Sequence, residues 1–128
     1  MKTRILLMTI AAIPSFGHHS FDAEYDVQKT VVLRGKVTKF DFINPHGWIY
    51  LEGTDDVGKS GTWSAETANV SSLLRRGWRK DSLKPGTEVI VEGSRAKDGT
   101  NTVSVRSVRL PDGTKLLSGN APDGAPAK

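Results

Sequence analysis

Three histidines carry the most definite chemistry in this sequence: His18 and His19 stand as a pair, and His46 follows an Asn-Pro step. Imidazole is the commonest protein ligand for transition metals, and nitrogen sites suit copper in particular. A chain that begins at His18 offers a free amine and a ring nitrogen to one ion, with His46 as a third nitrogen ligand, the arrangement of a histidine brace. Glu66, or an acid from Asp22, Glu24 and Asp26, completes the shell, and His19 serves as an alternate ligand or supports the first. The expected metal is copper or zinc. The plainer account is that the pair is only a polar chain start, while His46 caps a turn or stacks on Trp48.

The aromatic residues support a different function. Trp48, Tyr50 and Trp63 fall on two consecutive strand candidates, and in small five-stranded barrels that face binds oligosaccharides or oligonucleotides. Exposed, the rings stack on sugars or present a surface to a protein partner. Buried, they are core, since each covers on the order of 150–250 Å². The cluster Arg75, Arg76, Arg79, Lys80 and Lys84 complements the C-terminal dipole of a short helix. Its functional reading is a docking patch for anionic lipid or an acidic partner.

Catalysis finds little support. The chain has no cysteine, which removes thiolate metal sites, iron–sulfur clusters and cysteine nucleophiles. No serine has a glycine-flanked nucleophile context and no Gly-rich phosphate loop precedes a helix. Asp55-Asp56 falls in a turn and Glu88/Glu92 on a polar strand face. The expectation is a binding module with no catalytic residues.

These residues belong to a chain of 128 residues with 37% hydrophobic and 25% charged content, one domain's worth of sequence. Residues 1–17 read as a signal peptide: Lys2 and Arg4 open it, Ile5 to Ile13 is apolar apart from Thr9, and Ser15 and Gly17 are the small residues of a cleavage site. Cleavage near Gly17/His18 sends the protein to the periplasm or out of the cell, with no transmembrane segment after processing. Removing Lys2 and Arg4 leaves 16 basic against 14 acidic residues, a charge of only +2. That balance, together with export, argues against a nucleic-acid partner. A metal ion or a periplasmic protein is the expected partner.

The elements that must position the site follow from periodicity. Thr30–Phe42 alternates as a strand bent at Gly35, Trp48–Leu51 and Thr62–Thr67 are two more, and Thr87–Glu92 and Thr102–Leu110 complete five, the last with a bulge near Arg106. Between the third and fourth, Val70, Leu73 and Leu74 keep helical spacing, with Asn69 as N-cap and Gly77 as terminator. The expected core holds Val31, Leu33, Val37, Leu73, Leu74, Val89, Val91 and Val105. Residues 18–117 thus form one domain, a mainly β, small five-stranded OB-like barrel with one short helix between strands 3 and 4. Residues 118–128, rich in Gly, Pro and Ala, are expected to be a disordered tail.

His18-His19-Ser20-Phe21, Asn44-Pro45-His46, Leu73-Leu74-Arg75-Arg76-Gly77-Trp78 and Leu83-Lys84-Pro85-Gly86 together resemble the landmarks of a family of small exported bacterial proteins known as a domain of unknown function. The resemblance spans nearly all of the chain after residue 17. It implies export, a small β-barrel and a role for the paired histidines, and brings no assigned activity. In architecture the chain is also similar to periplasmic haem chaperones, which attach haem through a histidine in a C-terminal tail. No histidine follows His46 here.

Overall fold

The computed structural model describes residues 20–119. A five-residue helix α1 (Ser20–Glu24) leads into the long strand β1 (Tyr25–Asp41), followed by β2 (Trp48–Thr54) and β3 (Ser60–Glu66). Helix α2 (Val70–Arg75) precedes β4 (Glu88–Ala96), β5 (Thr102–Arg109) and the short β6 (Lys115–Leu117). The protein is therefore mainly β. Its strands make one sheet in the order β3-β2-β1-β4-β5-β6 with antiparallel neighbours, and β3 also pairs with β5 in parallel, so the first five strands close a ring of pairings.

Strand β1 belongs to both halves of that ring, because Arg34, Gly35 and Lys36 pair with β2 on one side and β4 on the other. Such a strand must coil strongly, and Gly35 permits it: a Cβ there would fall on the Glu52 carbonyl oxygen of β2. Thr38 is the extra residue between Val37↔Leu51 and Lys39↔Tyr50. This bulge accounts for the change of apolar parity from Val37 to Phe40. A second bulge leaves Arg106 unpaired between Glu92↔Ser107 and Gly93↔Val105, where the sequence places it.

The strands run further than periodicity indicates. β1 begins at Tyr25 because Tyr25 and Asp26 pair with Ala96 and Arg95, but no partner faces Val27 to Lys29, and the irregularity hides the strand start. β2 continues to Thr54 and β4 to Ala96, through Gly53 and Gly93, where backbones approach too closely for side chains. β6 follows the Pro111-Asp112-Gly113 turn and is too short to show a pattern.

The core gathers Val31, Leu33, Val37, Ile49, Leu51, Val89, Val91, Val103, Val105 and Val108 from the inner faces of the strands. Leu73, Trp78 and Leu83 close one side. The expectation of Leu74 in the core is corrected: it is 44% exposed, whereas Leu73 is fully buried. A six-residue helix turns only one narrow face inward, and in α2 that face carries Leu73. Asn69 does cap the helix, its side chain accepting the Ser72 N–H at 2.9 Å, and Gly77 follows with φ 91°.

The expected tail boundary also moves. Ser118 is fully buried and its Oγ accepts the Ala68 N–H at 3.0 Å, while the Trp78 indole donates to the Leu117 carbonyl at 2.9 Å. Residues 120–128, like residues 1–19, lie outside the described residues.

Candidate functional site

The turn between β1 and β2 carries His46, and it is fastened to the chain just beyond β3. Gly47 donates to the Ala68 carbonyl at 3.2 Å and accepts from the Thr67 N–H at 2.8 Å. A Cβ on Gly47 would collide with Thr67 Oγ1, so only glycine lets the two segments meet this closely. The Asn44 side chain reaches the other way and accepts the Val70 N–H at 2.9 Å, at the start of α2. The Asn44–Pro45 peptide is cis.

Within this frame the His46 ring is oriented from one side. Nδ1 lies 3.0 Å from the Thr67 carbonyl oxygen and 3.3 Å from Glu66 Oε1. A carbonyl and a carboxylate can only accept, so Nδ1 carries the hydrogen and, in the neutral ring, Nε2 holds the free lone pair. The His46 side chain is 47% exposed, against 13% for Glu66. The orienting group is thus sheltered while the ring itself reaches solvent.

Glu66 ends β3 directly opposite Trp48. Its Oε2 accepts a hydrogen bond from the Tyr25 hydroxyl, at the junction of α1 and β1. Burial pushes that hydroxyl well above its ordinary pKa of 10, and the hydrogen bond to Glu66 and the charges of Glu66, Glu24 and Asp98 act in the same direction. Tyr25 therefore remains a donor at any physiological pH. Phe21 of α1 packs on the Tyr25 ring at 5.4 Å between centroids. Tyr25–Glu66–His46 is a continuous relay between the first described helix and the exposed imidazole.

A cleft of about 330 Å³ lies beside this relay, with Tyr25, Trp48, Glu24, Asp98 and Thr102 in its walls. The three aromatic residues singled out from sequence separate here. Trp48 and Tyr50 are half-buried on the outer face of β2. Trp63 is fully buried, paired with Leu51 and covered by Arg95, whose guanidinium carbon lies 5.4 Å from the ring centroid. Of the two readings, Trp63 takes the buried one, because β3 turns it toward the opposite side of the sheet from Glu66, so the three rings do not share one face.

His18 and His19 lie outside the described residues, as does any ligand contribution from them. Among the described residues no group of three or more His, Asp or Glu side chains is arranged to hold a metal ion. Sequence reasoning singled out His46 and Glu66, which the fold brings together, and missed Tyr25. The one available signal was an aromatic residue next to Asp26 before the strand pattern begins.

A family model described as a family of unknown function (DUF6152) matches residues 6–105. No curated protein and no solved structure matches the chain.

Proposed function

The chain belongs to the DUF6152 family of unknown function, and from that premise we propose that it is an exported binding module that holds a transition metal, copper in the first instance. His46 supplies Nε2. His18 supplies its ring and, after cleavage behind Gly17, the terminal amine, and His19 is the alternate ligand. The basic start, apolar run and small residues of the first 17 positions support export to the periplasm. The ring β1-β2-β3-β5-β4 with α2 between β3 and β4 supports an OB-like barrel.

The observation that carries the metal reading is the commitment of His46 Nδ1 to Thr67 and Glu66, which leaves Nε2 as an exposed lone pair. Metal-binding histidines are held this way, through a carbonyl or carboxylate on the second nitrogen. Glu66 then acts as the group that orients His46 and not as a ligand beside it. Connectivity supports the partnership with the N-terminal histidines. In sequence His18 stands two residues before Ser20, and α1 leads directly into Tyr25, whose hydroxyl holds Glu66.

The test is titration of the chain that begins at His18 with Cu(II) and Zn(II) at neutral pH. One ion binds per chain, and affinity drops at least tenfold in His18→Ala and in His46→Ala, each equivalent to about 1.4 kcal/mol or more. Binding weakens as pH falls through the histidine range, because the ligands must be deprotonated. Unchanged affinity in both variants overturns the proposal.

A second reading rests on Trp48, which is half-exposed in a cleft with Tyr25, Glu24, Asp98 and Thr102. An aromatic wall with polar groups around it fits a carbohydrate, with Tyr50 extending the surface. Loss of oligosaccharide binding in Trp48→Ala, with metal binding intact, is the result that favours it.

A further inference from the structure

The outer faces of β1, β4 and β5 carry a second cleft, of about 410 Å³, which shares no residue with the His46–Glu66 pair or the cleft beside it. Its centre is a row in register across three strands: Arg34 pairs with Ile90, and Ile90 pairs with Arg109. With adjacent strands about 4.8 Å apart, the two arginine backbones stand roughly 10 Å apart with an isoleucine between them. Both arginines line the cleft, together with Lys36, Ile90, Leu110 and Pro111.

The charges in this cleft are not balanced internally. Glu88 stands opposite Lys36 in the β1–β4 register and is the one carboxylate in the lining, against the cations Arg34, Lys36 and Arg109. Glu92, further along β4, accepts the Ser107 hydroxyl at 3.3 Å. Neither Arg34 nor Arg109 makes an ion pair with a carboxylate among the described residues. Two guanidiniums therefore stand over an apolar floor, and each presents a planar fork of donors suited to an oxyanion.

We infer that this cleft binds a small amphiphilic anion, with its carboxylate held between Arg34 and Arg109 and its apolar body laid against Ile90, Leu110 and Pro111. The volume falls at the lower end of the range of small-molecule sites, which admits a short acyl or aromatic body and excludes a large polyanion. The apolar floor gives no reward to a free inorganic anion, and the guanidiniums give none to a neutral chain.

The experiment is a titration of the isotope-labelled full-length chain, followed by backbone amide signals, with sodium octanoate, octanol and inorganic phosphate as probes. Octanoate moves the signals of Arg34, Ile90 and Arg109, and its affinity falls about tenfold or more when both arginines are changed to glutamine, as expected for lost charge-assisted hydrogen bonds. Raising the salt concentration weakens it as well. The unaltered pattern of core signals, such as Val91 and Val105, shows that the Arg34→Gln/Arg109→Gln chain is folded. Octanol or phosphate binding as tightly as octanoate overturns the inference, as does an unchanged octanoate affinity in the double variant.

Discussion

Nδ1 of His46 stands 3.3 Å from Oε1 of Glu66, a carboxylate from the end of β3 that the Tyr25 hydroxyl holds from its other side. The strand register makes this meeting possible, because Glu66 lies opposite Trp48 while His46 is two residues earlier on the same connection. Glu66→Gln keeps the shape and removes the charge. Cu(II) affinity of the chain beginning at His18 is expected to fall about 10–100-fold, with one ion still bound per chain. Calorimetric titration measures it, and equal affinities for the two proteins would remove Glu66 from the site.

Leu73 and Leu74 provide a sharp contrast in packing. Leu73 is fully buried against the core and Leu74 is 44% exposed. Leu73→Ala is expected to cost about 2–5 kcal/mol through lost burial and a residual cavity, and Leu74→Ala about 0.5 kcal/mol or less. Urea unfolding of both variants checks the pair. Similar losses would mean that α2 packs through a different face.

Acid stability depends in part on Asp55. Burial raises its carboxyl pKa, but hydrogen bonds from Lys59, Arg95 and Val57, with the Arg95 charge, outweigh that and hold it below its ordinary value of 3.8. A carboxylate lowered in the folded state binds fewer protons than in the unfolded chain. The stability it contributes is present above the ordinary value and is lost as pH falls through the lowered one. Asp98 and Asp112, lowered chiefly by hydrogen bonds from Thr100 and Thr114, act with the same sign. Asp55→Asn is expected to lower the urea midpoint at pH 7 and to reduce, without abolishing, its further decline toward about pH 2. An unchanged acid profile would contradict this.

The parts of the fold that repeat a local pattern were legible in the sequence. All five ring strands were legible, Gly35 marked the bend in β1 and the shift near Arg106 located the second bulge, whereas the Thr38 bulge was not distinguished from that bend. Asn69 and Gly77 bracketed α2 through cap chemistry that depends on a few neighbouring atoms. What escaped depends on contacts remote in sequence. The exposure of Leu74 is decided by how the short α2 seats on the core, and the start of β1 by pairing with the end of β4. His46 and Glu66 were visible as residue types with ligand chemistry. Their roles were not, because the choice between ligand and orienting group rests on which nitrogen of the ring faces the carboxylate.

The central claim is that His46 binds the metal through Nε2, with Nδ1 remote and hydrogen-bonded. Pulsed electron paramagnetic resonance of the Cu(II)-loaded chain beginning at His18 tests it most directly, since the remote nitrogen of a coordinated imidazole modulates the echo. The expected result is a set of imidazole modulations in the parent protein that loses one contributor in His46→Ala, with the equatorial nitrogen count falling by one. Identical spectra for the two proteins would contradict the account.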